Sequence, residues 1–525
     1  MKKTILTIMV GSLPMVMMAQ SAVDAYQLAQ PDLNGTARFS AMAGAFGALG
    51  GDLSTLNQNP AGIGVYRSSE IGFTLDLDFQ GTKSTSMGTS RDASQTKFNC
   101  SNFGYVGSVE LNNDVMPFFS WGVSYSRAAS FDRYYRGYVP SLSNSMSNYV
   151  ANFTNQDNWT PAELGQSDNY NPYFSSDIPW LSIMAYNSYM INPTSNSGNF
   201  SGLFNNDTFG NAAFTVREKG YVDEYSIDFG GNIMNTVYWG VAFGITDISY
   251  TQDAYYDEEL QNASVPSSKT YGTESGDGWF GLGNYQHVRG NGFNFKAGVI
   301  FKPINELRLG LAVHTPTYYD LKHEAYSVCD FSYSSGYEGY HEADDGYIAY
   351  YDSDFKTPWR LIASAAGVIG GQGILSVDYE YVGYDAMRVK DGYGDEYYDI
   401  TGDIKNYYQA SHIIRVGGEY RVTPQLSLRA GYSYQTQPAK DAAIDNEEYI
   451  YTSGTNPAYI FDKTTQYITC GLGYRYKNFY VDMAYMHKMR ESKWQAFTAF
   501  DEYEVPSADI KDHNNQVIMS LGFKF

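Results

Sequence analysis

From Ile71 to the last residue the chain alternates. Ile71, Phe73, Leu75, Leu77 and Phe79 are apolar, and Gly72, Thr74, Asp76 and Asp78 stand between them. A period of two puts the apolar set on one face of a strand and the small or polar set on the other. Further segments with this pattern are predicted at 98–111, 118–128, 221–231, 237–250, 292–301, 307–319, 359–369, 374–389, 412–422, 426–435, 465–476, 479–489 and 516–525. Short turns such as Asn232–Thr236, Gly370–Gly373 and Lys477-Asn478 alternate with long polar loops. One rim of tight turns and one of long loops around about fourteen antiparallel strands is the plan of a transmembrane β-barrel. Aspartates on lipid are costly, so the face of Asp76 and Asp78 is predicted to be the lumen.

The stretch from Gly35 to Arg67 does not alternate and is too rich in Gly and Ala for a membrane span. Phe39, Met42, Phe46 and Leu49 recur at helical spacing. The stretch turns at Asn59-Pro60, because the residue before proline leaves the helical region. A barrel of this size leaves a bore that side chains do not fill. The segment 20–68 is therefore predicted to be a hatch inside a barrel formed by 69–525, the largest insertion running from about 130 to 214. Within that insertion, Pro179–Met190 suggests a short helix on the barrel mouth. Lys2, Lys3 and the apolar run after them, ending at Ala19, read as a signal peptide for export across the inner membrane.

Composition narrows the class. The 525 residues include 49 Tyr and 51 Gly, and only 18% are charged. Aromatic-rich, weakly charged, alternating strands suit a bacterial outer-membrane protein, whose outer face is apolar and whose interfaces carry aromatics. A net charge of −22 argues against nucleic acid, which needs a basic footprint. Cys100, Cys329 and Cys470 show no metal or redox spacing, and no cofactor is called for.

The chain resembles the FadL/TodX family of outer-membrane transport proteins. Asn59-Pro60-Ala61 matches the family's hatch tripeptide, just before the first strand, and Gly35, Arg38, Gly44 and Asp52 fall where family hatches carry similar residues. The resemblance implies passive uptake of hydrophobic small molecules such as long-chain fatty acids. Ligand is caught by the extracellular loops, held against the hatch, and released sideways through the wall beside a kinked third strand. Phe39, Met42 and Phe46 are the candidate ligand contacts. Pro117 and Gly122 mark the third strand as the candidate lateral opening; the other reading is that Pro117 only starts the strand and Gly122 only packs. Leu521, Phe523 and Phe525 look like the signal read by the barrel assembly machinery, and outer-membrane lipid and lipopolysaccharide are the expected surroundings. Three further readings are a haem receptor using His323 or His341, a docking barrel of a surface-secretion system, and a barrel-borne lipid hydrolase using Ser411-His412. The last lacks any Gly-x-Ser-x-Gly elbow, and no catalytic residue is assigned.

Overall fold

The computed structural model describes residues 21–167, 169–175, 177–195, 198–267, 271–500 and 504–525. The predicted signal peptide lies outside them. The wall is a closed antiparallel barrel of 14 strands. In chain order they are β1 (Glu70–Ser86), β2 (Thr89–Glu110), β3 (Phe118–Ser130), β4 (Phe209–Ile233), β5 (Val237–Pro266), β6 (Thr273–Ile304) and β7 (Leu307–His314). There follow β8 (Arg360–Ile369), β9 (Gly373–Gly383), β10 (Ala410–Arg421), β11 (Leu426–Gln435), β12 (Tyr459–Tyr476), β13 (Phe479–Gln495) and β14 (Ser507–Lys524). Each pairs with the next, and β14 closes on β1 from Glu70 opposite Lys524 to Thr85 opposite Asp509. Closure leaves no free edge.

The alternation sorts lipid from lumen. Ile71, Phe73, Leu77 and Phe79 point outward and Thr74 and Asp76 are buried inside. At ~3.3 Å per residue and a tilt of ~40°, the outward set from Ile71 to Phe79 covers roughly 20 Å, close to an outer-membrane apolar band. Neighbouring strands give the same level: on β5 the outward apolar residues end at Ile245, after which Asp247 and Asp253 take their places. Outward aromatics flank the band, with Trp239, Tyr420 and Tyr474 at the short-turn rim and Tyr225, Tyr318 and Trp359 at the long-loop rim. At the short-turn rim, Gly370 and Gly371 hold positive φ (59° and 70°) in the three-residue loop that joins Ile369 to Gly373 in the β8–β9 hairpin.

Several strands run well beyond the predicted segments. The acidic stretch Asp253–Glu259 lies within β5, and most of the stretch expected to be a loop, 321–356, is sheet: Tyr318–Tyr333, Glu338–Glu342 and Ala349–Lys356. Outward apolar residues report lipid, not hydrogen bonding, so the pattern stops where the bilayer stops while the ladder continues above it. The insertion is also folded. Arg133–Val139 pairs with β4, and the helices Met146–Gln156 and Trp180–Asn187 pack Met146, Val150, Leu181 and Met184 against Phe214, Phe280 and Trp494. The predicted helix on the mouth is therefore present, within a cap that has its own apolar core.

One discontinuity crosses three neighbouring strands. β7 ends at His314 and resumes at Tyr318 after Thr315-Pro316-Thr317. Ala349–Lys356 and β8 are separated by Thr357-Pro358-Trp359, and β9 gives way to a single turn at Tyr384–Ala386. All three breaks sit at the upper edge of the apolar band.

Candidate functional site

The residues behind the resemblance hold the hatch together. Thr36 caps helix α2 (Ala37–Ala41), its Oγ1 accepting from Phe39 N (3.2 Å) and donating to Asp52 Oδ1 (2.7 Å). Asp52 Oδ1 also accepts from Ser54 N at 3.0 Å. A Cβ on Gly35 would overlap Ser54 Oγ, so this crossing needs glycine. The helix stops after Ala41, and Ala43 and Gly44 take positive φ (51° and 73°). Helical spacing from Phe39 to Leu49 thus reflects one short turn and a compact coil. Asn59 makes two bonds: Oδ1 accepts from Ala61 N (3.1 Å) and Nδ2 donates to Gly47 O (2.6 Å). Pro60 follows at the start of the 3-10 turn Pro60–Val65, where an N–H is not needed.

The hatch presses on the wall through missing side chains. A Cβ on Gly240 would strike Pro60 O, one on Gly298 Asn59 Oδ1, one on Gly310 Gly47 O, and one on Gly417 or Gly431 the Met42 backbone. These glycines come from different strands and form a collar at which hatch backbone meets wall backbone. Arg38 adds an ionic link. Its Nε lies 2.9 Å from Glu419, whose other neighbour Arg429 (2.6 Å) reaches Asp482. The Arg38 guanidinium also covers the Phe46 ring, 5.1 Å from its centroid.

Above the hatch lies a cavity of about 160 Å³ that opens onto solvent. Its apolar lining includes Leu28, Leu33, Phe39, Val222 and Val382. Of the candidate ligand contacts, Phe39 lines the cavity, whereas Met42 and Phe46 are fully buried between hatch and wall. The cavity's wall carries ion pairs: Arg360 and Arg415 share the one carboxylate of Glu380, each at 2.6 Å, Lys296 holds Glu224, and Arg127 holds Asp223 at 2.9 Å.

The ceiling was not foreseen. Helix α1 (Ala22–Ala29) crosses the upper bore, with Tyr26 stacked on Tyr408 (4.8 Å) and edge-on to Tyr384 (5.1 Å). The linker below it is tied down by Asp32, which takes bonds from Tyr467 OH (2.9 Å) and Lys488 Nζ (3.1 Å). A signal existed in the sequence, since Ser21 and Asp24 form a capping box at the helix start. The partners of Tyr26 and Asp32 lie hundreds of residues away and leave no local trace.

The two residues of the candidate lateral opening are placed as follows. Gly122 pairs with Val106 and Asp228 in regular register, and its open face receives Ile63 of the hatch. Pro117 belongs to the preceding turn, its carbonyl accepting from Leu111 N at 2.9 Å. The irregularity in β3 is instead a bulge between Arg127 and Ala129, and the unpaired Ala128 lines the cavity. Two other candidates are also placed. His323 is buried against Tyr351 (4.2 Å) and bonded to Ser353 Oγ (2.8 Å), with burial pushing its pKa down to about 3, and His341 Nε2 meets Tyr173 OH at 3.0 Å. Ser411 and His412 face opposite sides of β10: Ser411 Oγ donates inward to Thr436 O, while His412 meets Tyr379 OH on the outer face. Strand geometry therefore separates the pair that a hydrolase would need side by side.

A closed barrel with an apolar outer band and a bore blocked by its own N-terminal segment defines the class: a plugged transmembrane β-barrel of the outer-membrane type. The resemblance to the FadL/TodX family is borne out: residues 281–525 match the family model described as outer membrane protein transport protein (OMPP1/FadL/TodX). A crystal structure of a Pseudomonas aeruginosa FadL homologue has the same fold, with TM-score 0.52 at 13% identity over 94% of this chain and 99% of that one. The Pseudomonas putida toluene transporter TodX aligns with TM-score 0.48 at 14% identity over 94% and 99% of the two chains. The Ralstonia pickettii toluene transporter TbuX gives 0.47 at 13% over the same shares. No curated protein sequence matches.

Proposed function

We propose that the protein is a passive channel that takes up hydrophobic small molecules across the outer membrane, with the hatch as its gate. The observation that carries this reading is the cavity, which lies between a hatch, a helical ceiling and a bulged wall strand. Ligand is caught at the cap, passes α1, rests against Phe39, and leaves sideways into the bilayer. Lateral exit spares an apolar solute a passage through water. The exit expected on the third strand is best placed beside Ala128. The signal peptide would deliver the chain for export, and the C-terminal Phe525 would hand it to the barrel assembly machinery.

The test is a lock on the hatch. Ala37 N donates to Ser520 Oγ at 2.7 Å, so Ala37→Cys with Ser520→Cys places two thiols between hatch and β14. Uptake of a hydrophobic fluorophore should stop on oxidation and return on reduction. Equal uptake in both states would make the hatch a filler, and uptake no faster than in cells lacking the protein would remove the channel reading.

A further inference from the structure

A second, polar cavity of about 50 Å³ adjoins the one above the hatch. It lies between the linker after α1 and residues of β1–β4, β13 and β14. The two cavities share Gln30, Asp32, Asn34 and Arg127 in their linings, so they meet at the linker.

The charges of the polar cavity do not balance. Three basic side chains line it, and each is held by an acid: Lys488 by Asp32 at 3.1 Å, Arg127 by Asp223 at 2.9 Å and Arg490 by Asp512 at 2.7 Å. Asp132 pairs with Lys97 at 2.9 Å. Among the described residues, the lining carboxylates of Asp76, Asp78 and Glu218 have no ion pair. Two of them are deep, Glu218 at 1% exposed and Asp76 at 3%, where an unpaired charge is costly.

Their hydrogen bonds show what is missing. Asp76 is met by neutral donors, Ser101 Oγ, Gln516 Nε2 (2.8 Å) and Asn99 Nδ2 (3.3 Å). Glu218 Oε1 accepts from Tyr250 OH at 3.1 Å, but its Oε2 has no donor. Asp78 Oδ1 and Asn514 Oδ1 have none either. Among the described residues, the unmet side-chain atoms of this lining are thus all acceptors, and two belong to carboxylates. Water can give such oxygens a hydrogen, but it leaves the charge in place. A metal ion does not fit, since no group of three His, Cys, Asp or Glu side chains among the described residues is placed to hold one. An ammonium group supplies three N–H donors and the balancing charge. The polar cavity has room for that head and not for an apolar body, whose place is next to it, against Leu28, Leu33 and Phe39.

We propose that the polar cavity is a head-group site for hydrophobic amines. Glu218 and Asp78 accept from the ammonium, and the apolar part of the ligand lies in the cavity above the hatch. The site names a substrate class for the channel reading and rests on it.

The test uses three soluble probes that differ in the head group, 2-phenylethylamine, 2-phenylethanol and phenylacetate, titrated calorimetrically into the purified protein in detergent at pH 8. The amine should bind about tenfold more tightly than the alcohol, as charge-assisted hydrogen bonds require, and the acid should bind most weakly. Glu218→Gln and Asp78→Asn should each remove most of that preference, with heat-modifiability gels showing a folded barrel. Equal affinity of amine and alcohol for the unsubstituted chain, a result that needs no variant, would overturn the site. So would a preference for the amine that survives both substitutions. Either result would leave the channel reading standing if dye uptake persists. Uptake equal to that of cells lacking the protein would overturn the channel reading and the amine site with it.

Discussion

Asn59 is the residue on which the hatch turns. Its side chain closes the turn to Ala61 and ties it back to Gly47, and it fits against β6 only because position 298 is glycine. Asn59→Ala removes two hydrogen bonds in a buried site and should lower stability by about 1–3 kcal/mol, read from the midpoint of thermal unfolding in detergent. Gly298→Leu attacks the same contact from the wall. The barrel should still assemble, but the hatch should be displaced, which planar-bilayer recordings would report as raised conductance. The tripeptide was legible in the sequence as a family mark. Its mechanical reason was not, because Gly298 is more than two hundred residues from Asn59 and no local pattern pairs them. Phe39, Met42 and Phe46 show the reverse error: apolarity selects buried residues, and only Phe39 turned out to border open space.

The elements above the membrane carry a pH dependence. Glu258, on the part of β5 above the apolar band, caps the cap helix Met146–Gln156, accepting from Met146 N (2.8 Å), Ser145 Oγ and Tyr256 OH (2.6 Å). Burial raises its carboxyl to about 7 from 4.5. The folded cap therefore binds a proton that the unfolded cap releases, and stability is fully present below the unfolded value and falls as pH rises from about 4.5 to about 7. Hydrogen exchange of Met146–Gln156, corrected for intrinsic rates, should show stronger protection at pH 5 than at pH 8. Glu258→Gln should flatten that difference. This cap is also where the sequence was hardest to read. The wall strands announce themselves because lipid imposes strict alternation on their outer face. Above the bilayer the outer face of β5 is polar and no longer constrained, so Asp253–Glu259 looked like loop although its ladder is intact. Helix α1 was missed for a related reason: its stability comes from Tyr384 and Tyr408, not from its own eight residues.

For the whole molecule, the closed barrel and the internal hatch were both legible, since 14 alternating segments oblige a bore and one non-alternating segment stands ready to fill it. The breaks at β7, β8 and β9 were not, because an interruption shared by neighbouring strands is a relation between segments far apart in the chain. Removing Gly35–Gly64 should leave an assembled barrel with a large, ungated conductance; loss of assembly would mean that the hatch is needed to build the wall. Removing Phe525 should slow assembly, measured as a longer-lived unfolded band in heat-modifiability gels, with the finished barrel unchanged. The glycine collar adds an order of events. The hatch precedes every strand, and the wall shuts only when β14 meets β1. At the collar the bore fits the hatch backbone so closely that a finished barrel has no way to admit it. The hatch must therefore be in place before the sheet closes around it, and a peptide spanning 21–68, added to a barrel made without it, should fail to restore closure.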